Sequence, residues 1–494
     1  MKIKELYNKK IIFILILIIF ALITLLTRYY GAADIGDYAD TAKFFAGDYN
    51  GKIRSSNSHI LGFIHYPLVK LTESYIGFKI TSIVLLIFIM FSVYKISNYN
   101  KKALWLLLIS PVVWYMGPWI NPIQIGSLIL LWSYYFANKY DKEGKIKYLT
   151  YFGLLIGLGW SVWDGIFFFG GFLAIIYMYN KKSYELLYFA ILILVGLIPR
   201  LALDFYLFNF PFFGMIKNMT GIILSTWGGI HNRGWAHAYP SITTFISILI
   251  AIPIGYWTLY KKERIAKYKK EIVFLSLCLL IVLMNQQIRY IMAFAPIVIL
   301  LLTKELNKKE IKIHFIISII VILLFITPYI IQTKYSIKNK LHGADFTDVL
   351  ENPFELKLSK TFVQDLIVQD IKEIAKEYPN EVFVVGNAED DYQALARLYW
   401  GKDVNEFVSI QDYNLFMENK NTIFEIKFMP TPNINYRRQI WIAGGMNKNE
   451  NDNTDYKNIK LGIGLENPVN IEGFKFVKKY NILYFSKKLE TNSL

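Results

Sequence analysis

The sequence predicts a polytopic α-helical membrane protein carrying a C-terminal soluble domain of α/β or α+β type, and three observations predict it. Of its 494 residues, 54% are hydrophobic and only 19% charged, and the mean hydropathy is +0.33. That is too apolar for an ordinary soluble chain. The apolar residues also come in blocks up to about residue 331, and lysines collect in the short segments between the blocks. The net charge of +16 would point to nucleic acid in a soluble chain. Here it reads as the lysine bias of membrane loops, and no nucleic-acid partner is expected. The lone Cys278 lies inside an apolar run, so an intrachain disulfide is excluded.

Met1 to Lys10 is short and basic, and the apolar run Ile11 to Thr27 follows it without a small-residue cleavage site. It reads as a retained anchor rather than a leader. Further spans are expected at Tyr75–Tyr94, Ala103–Met116, Pro122–Phe136, Tyr148–Val162, Ile166–Tyr179, Tyr184–Phe208, Ser241–Tyr260, Ile272–Met284, Ile288–Leu302 and Ile311–Ile331. That makes about eleven transmembrane helices, several shorter than the ~20 residues a vertical crossing needs. With the N-terminus in the cytoplasm, the lysine-bearing loops 95–102, 138–147, 180–183, 261–270 and 304–309 are cytoplasmic too. The odd count then places residues 334–494 outside, behind a membrane domain of residues 1–333. The expected address is the cell membrane.

The tail changes composition. Phe362–Tyr378 has helical spacing, 381–386 reads as a buried strand, and Asp391–Trp400 as a second helix. Strands are expected at Thr422–Phe428, Gln439–Ala443 and Ile482–Phe485. Gly386 after a strand lacks the glycine spacing of a phosphate loop, so a plain turn is expected.

The densest polar segment is the first outer loop, residues 28–75. It places two carboxylates, Asp34 and Asp37, at the mouth of the first span. Carboxylates at a membrane surface cost solvation energy, which makes a functional reading worth testing. The ordinary alternative is a solvated loop acid and a helix N-cap, since a helix is expected from about Tyr38. Ala39, Ala42, Phe45 and Ala46 are spaced for an interfacial helix. Beyond it stand His65, Tyr66, Pro67, Leu68 and Val69, with Lys79 near the outer end of the second span.

This acidic motif, the Ala- and Phe-rich helix and the Tyr66-Pro67-Leu68 segment resemble the GT-C superfamily of polyprenyl-phosphate-dependent glycosyltransferases. Asp37-Tyr38 and Tyr66-Pro67-Leu68-Val69 are similar to the motifs of GPI-type mannosyltransferases. The family spaces its acids as DxD or as neighbours, whereas Asp34 and Asp37 are spaced DxxD, and Asp37 is taken as the counterpart of the family's catalytic acid. The resemblance implies sugar transfer from a dolichyl- or undecaprenyl-phosphate carrier, mannose or another hexose, to a glycan, lipid or protein acceptor at the outer face. Asp37 would be the general base and Asp34 a supporting acid. Whether the pair holds a divalent cation, magnesium or manganese, or acts bare is open.

A lipid-phosphate leaving group calls for fixed cations. Arg289-Tyr290, ahead of Ala295-Pro296, resembles a segment of GT-C enzymes, oligosaccharyltransferase catalytic subunits included, that faces the lipid-linked donor. The plain alternative is an arginine snorkelling to headgroups. The outer loop 227–240 brings His231, Arg233 and His237 beside two tryptophans, a patch suited to closing over a sugar. Asp164, in an outer hairpin, either orients the donor or caps the next helix. Arg200 and Asp204, one turn apart, are expected to pair along their helix, with a phosphate-facing Arg200 as the sharper reading. Lys79 either snorkels or meets the phosphate.

Two other classes compete. An oligosaccharyltransferase-like en bloc transferase shares the topology, but its WWDYG motif is missing, with only Trp163-Asp164-Gly165 in a membrane hairpin. A lipid transporter or flippase would need polar groups at the midplane and access from both faces, whereas these candidates gather on one side.

Overall fold

Apolar helices fill the first two-thirds of the computed structural model, which describes residues 10–26, 35–47, 53–54, 58–72, 76–117, 119–216, 242–285, 288–333, 356–358, 363–379, 381–385, 406–417, 436–437, 456–464 and 467–489. Helix α1 is Lys10–Leu26, α2 Ile35–Phe45, α3 Ile60–Thr72 and α4 Ile76–Ile96. They are followed by α5 (Lys101–Leu108), α6 (Pro111–Met116), α7 (Ile123–Glu143), α8 (Ile146–Val162), α9 (Ile166–Met178) and α10 (Ser183–Phe208). After residue 241 come α11 (Ile242–Ala251), α12 (Lys262–Lys267), α13 (Lys269–Asn285), α14 (Ile291–Glu305) and α15 (Lys308–Ile330). Among the described residues α4 and α10 are long and apolar enough to cross a membrane, and α1, α3, α8 and α9 are shorter apolar helices.

Two expected spans are interrupted, both at proline. The run Ala103–Met116 breaks into α5 and α6 because Pro111 has no N–H to give the preceding turn. The run Ser241–Tyr260 gives α11 and then, past Pro253, the 3-10 helix Ile254–Tyr260. Helix α14 is buried from Ile291 to Thr303 and forms the axis of the bundle. Helices α8 and α10 approach each other closely at glycines. A Cβ on Gly157 would stand 2.1 Å from the Ile193 carbonyl oxygen, and one on Gly196 2.4 Å from that of Leu154. Only glycine lets the two backbones touch there, as small residues do between membrane helices.

All five lysine-bearing loops meet at one end. Lys102 Nζ donates to the carbonyls of Thr303 and Leu306, each at 2.9 Å. Arg264 reaches Glu310 at 3.0 Å, and Lys267 reaches Glu305 at 2.6 Å. Asp141 gathers Lys270 at 2.7 Å and Lys181 at 3.7 Å. Burial alone would raise the Glu310 carboxyl; hydrogen bonds from Lys261, the Asn307 backbone and Arg264 hold it down to about 2. This grouping is what the lysine asymmetry requires if these loops share one side. Cysteines at Lys145 and Asn449 in a Cys278→Ala background test which side. An impermeant thiol reagent on intact cells is expected to label position 449 only; labelling of position 145 would overturn the orientation.

The tail is built on a five-stranded sheet, preceded by β1 (Ile53–Arg54), β2 (Ile331–Thr333) and β3 (Leu356–Leu358). Its strands are β4 (Val382–Val385), β5 (Glu406–Ser409), β7 (Leu461–Gly464), β8 (Phe474–Lys479) and β9 (Tyr484–Lys488), with β6 at Tyr436–Arg437. The sheet order is β5-β4-β7-β9-β8, parallel across β5, β4 and β7 and antiparallel beyond. Helix α16 (Val363–Glu377) packs Ile371 and Ile374 with Phe383, Val385, Leu461 and Ile463. On the other side, Tyr413 of α17 (Ile410–Met417) packs with Val384 and Val408. The expected helix at 362–378 and strand at 381–386 are present as α16 and β4. The expected strand Ile482–Phe485 starts later, as β9 at Tyr484. The cause is Asp370, fully buried, which accepts hydrogen bonds from the backbone N–H groups of Asn481, Ile482 and Leu483 at 3.2, 2.8 and 2.9 Å. The expected elements at 391–400, 422–428 and 439–443, and the turn at Gly386, lie outside the described residues. Strand β1, between α2 and α3, pairs in parallel with β6, Ile53 opposite Tyr436, so the tail stands at the end of the bundle that carries those two helices.

Candidate active site

The acidic stretch is mounted on a short helix pair. Helix α2 begins at Ile35, so Asp37 is its third residue rather than its N-cap. The helix is pressed onto α3 at Gly62, where a Cβ would lie 2.5 Å from Thr41 Cβ and 2.9 Å from the Ala42 backbone nitrogen. Tyr38, Thr41, Ala42, Lys43 and Ala46 are buried there. Phe45 packs against Phe63 and Tyr66, with ring centroids 5.5 and 6.3 Å apart. The aromatic face expected of an interfacial helix thus grips the following helix. Asp34, His231, Arg233 and His237 lie outside the described residues, as does the Asp37 side chain.

From α3 a circuit of contacts runs round this end of the bundle. His65 is buried with its ring 5.2 Å from that of Phe78 on α4, and among the described residues neither ring nitrogen has a hydrogen-bond partner. Burial lowers its pKa to about 4, so the ring is neutral near pH 7. Lys79, the next residue on α4, is completely buried. One turn further, Ser82 Oγ lies 2.9 Å from the Trp119 carbonyl oxygen and 3.0 Å from Gln124 Oε1. The Arg289 guanidinium lies over the Trp119 ring at 5.9 Å and over Tyr290 at 5.5 Å. Tyr290 stacks on Trp163 at 6.0 Å. Next to Trp163, Asp164 is held by both terminal nitrogens of Arg200. Asp204, a turn beyond Arg200, comes within 3.8 Å of His59 Nδ1. Ser58, beside His59 at the start of α3, bonds to the Ser161 carbonyl oxygen and closes the circuit.

Two expectations are corrected here. Arg200 and Asp204 do not form the hydrogen-bonded pair along their helix that their spacing suggested. Arg200, fully buried, gives its fork to Asp164 and to the Trp160 carbonyl, the latter at 3.1 Å, while Asp204 accepts from the Gly214 backbone N–H at 3.0 Å. The glycine contact of α8 with α10 is the reason. It brings the 163–165 hairpin over Arg200, and a planar guanidinium is better satisfied by a carboxylate meeting both its nitrogens. A fork so occupied does not serve a phosphate. Nor does Asp164 cap helix α9: Gly165 holds the N-cap position, with no side-chain capping bond.

Of the remaining candidates, His65, Lys79, Asp164, Arg289 and Tyr290 belong to the circuit, and Tyr66 borders it through Phe45 and Phe63. Sequence reasoning missed Ser58, His59, Ser82, Trp119 and Gln124. The available signal was that each polar residue occurs where the same end of the bundle was expected. Among the described residues no cluster of three His, Cys, Asp or Glu side chains could hold a metal ion.

A helical bundle, a short helix pair at its mouth and an α/β unit at the same end together form a fold known from solved structures. ArnT from Cupriavidus metallidurans, solved bound to undecaprenyl phosphate, is similar over 97% of this chain and 98% of its own, at a TM-score of 0.59 and 10% identity. The same protein in its apo state gives 0.54 and 11%, over 97% of each chain. No protein-family model matches the sequence, and no curated protein does.

Proposed function

We propose that this protein is a GT-C glycosyltransferase that moves a sugar from a polyprenyl-phosphate carrier to an acceptor at the outer membrane face. The observation that carries the reading is the end-to-end likeness of its fold to ArnT solved with undecaprenyl phosphate. In this reading Asp37 takes the proton of the acceptor hydroxyl, whose oxygen attacks the anomeric carbon. The bond from that carbon to the phosphate oxygen breaks through an oxocarbenium-like state, and its electron pair leaves with the lipid phosphate. Arg289 and Lys79 supply positive charge for the departing phosphate. His65 and Tyr66 border the donor, Asp164 orients its sugar, and His231, Arg233 and His237 reach over it from the outer loop. Mannose or another hexose is the proposed sugar.

The resting place of Arg289 supports its role. Its guanidinium lies over the Trp119 and Tyr290 rings, a cation–π mount that keeps a fixed positive charge at the end of the bundle where the polar circuit lies. The test is transfer of a radiolabelled sugar from defined polyprenyl-phosphate donors by purified protein. Arg289→Ala is expected to lose about 2–4 kcal/mol of transition-state stabilisation, and Arg289→Lys to regain only part, since a point charge cannot reproduce the fork. No transfer from any lipid-phosphate sugar by the wild-type protein would overturn the function; full turnover in Arg289→Ala would reduce that arginine to a headgroup anchor.

A further inference from the structure

The last hairpin of the tail, β8 and β9, has a composition found nowhere else in the domain. Residues 474–489 contain five lysines, Lys475, Lys478, Lys479, Lys487 and Lys488, and no acid. Among the described residues only Lys478 meets a carboxylate, that of Glu377 at 2.5 Å. Strand β8 is the edge of the sheet and pairs only with β9. Its register shifts between Phe476 and Lys478, so Val477 is extra in the ladder and turned out.

Lysines and a bulge are common protection for an edge strand. Protection does not account for the apolar side chains beside them: Phe476 and Val477 are each 52% exposed, and Leu489 50%. The Lys479 ammonium lies over the Tyr484 ring at 4.7 Å and the Lys487 ammonium over Tyr378 at 5.9 Å, and both side chains, like Lys475, are exposed. Exposed Phe, Val and Leu set among exposed lysines are what a surface needs to enter an anionic headgroup layer. The tail is tied to the helical bundle twice, since β2 continues directly from α15 and β6 pairs with β1 between α2 and α3.

We propose that the β8–β9 hairpin is a docking surface for anionic lipid headgroups, which seats the tail domain on the bilayer. The charge complementarity selects this occupant over a zwitterionic surface, and the exposed apolar residues select it over a soluble anion.

The experiment uses the full chain in nanodiscs and reads no activity, so it stands apart from the transferase reading. Val477→Cys in a Cys278→Ala background is labelled with bimane. Discs contain phosphatidylcholine alone or with phosphatidylglycerol, each with headgroup spin-labelled quencher lipid. Quenching and a blue shift are expected in the anionic discs, falling to the zwitterionic level at high salt. Reversing three exposed charges, Lys475→Glu with Lys479→Glu and Lys487→Glu, is expected to abolish both. Equal emission in the two compositions would overturn the proposal, and so would quenching that survives the charge reversal. A matching shift on adding inorganic phosphate to zwitterionic discs would assign the surface to a soluble anion instead.

Discussion

Asp37→Asn is expected to leave the protein folded and to lower turnover by about 10²–10⁴-fold, or roughly 3–5 kcal/mol of barrier. The substitution keeps the size of the side chain and one acceptor oxygen while removing the base. Its mount gives the reason to expect a clean result. Asp37 stands in the first turn of α2, and that helix is locked to α3 where Gly62 admits Thr41 and Ala42. A base carried on a rigid element can be lost without disturbing its neighbours. Donor affinity should change little, because the base acts on the acceptor. Initial rates at saturating donor, with donor binding measured separately, separate the two effects. A wild-type rate in folded Asp37→Asn protein would sink the assignment, and an equal loss of donor affinity would recast Asp37 as a binding residue. Asp34→Asn should cost less. If both carboxylates hold a divalent cation, the two losses will match and a chelator will abolish activity.

Arg200→Met is expected to destabilise the protein by about 3–5 kcal/mol, the usual cost of removing one member of a buried charge group. The arginine is fully buried with Asp204 nearly so, and the fork it gives to Asp164 and the Trp160 carbonyl joins α8, the 163–165 hairpin and α10. Methionine fills the space but strands the carboxylates. Thermal unfolding in detergent measures the loss. Arg200→Met combined with Asp164→Asn should recover part of it, because the second change removes the charge left alone. Arg200→Lys should fall between, its ammonium unable to meet both carboxylate oxygens of Asp164. An unchanged unfolding temperature in Arg200→Met would show that the network contributes nothing to stability.

Sequence reasoning named candidate residues but not their wiring. That Asp37 stands where a helix begins, that Arg289-Tyr290 opens another, and that the lysine-bearing loops gather at one end are local or compositional facts. The pairing of Arg200 is different. From spacing alone Asp204 is its nearest carboxylate, one turn along the same helix. The preferred partner, Asp164, is 36 residues away and becomes available only when Gly157 and Gly196 bring two backbones into contact. Likewise His59 gave no signal of its own until Asp204 stood 3.8 Å from it.

Hydropathy and charge by themselves determined the class of this protein: a helical membrane bundle with its lysine loops on one side and a soluble α/β tail. Those properties are sums over many residues and survive any error in one of them. The breaks at Pro111 and after Ala251 were not set by proline alone, because Pro67, Pro199 and Pro296 lie inside continuous helices. Only the tertiary structure decided which side chains meet. It turned Asp164 from a cap into an arginine partner, laid Arg289 over Trp119, and delayed β9 to Tyr484 because a buried Asp370 holds the turn before it. Such contacts join residues tens to hundreds of positions apart. They depend on helix packing at single glycines and on the need of each buried charge for a partner, and neither is a local property of the chain.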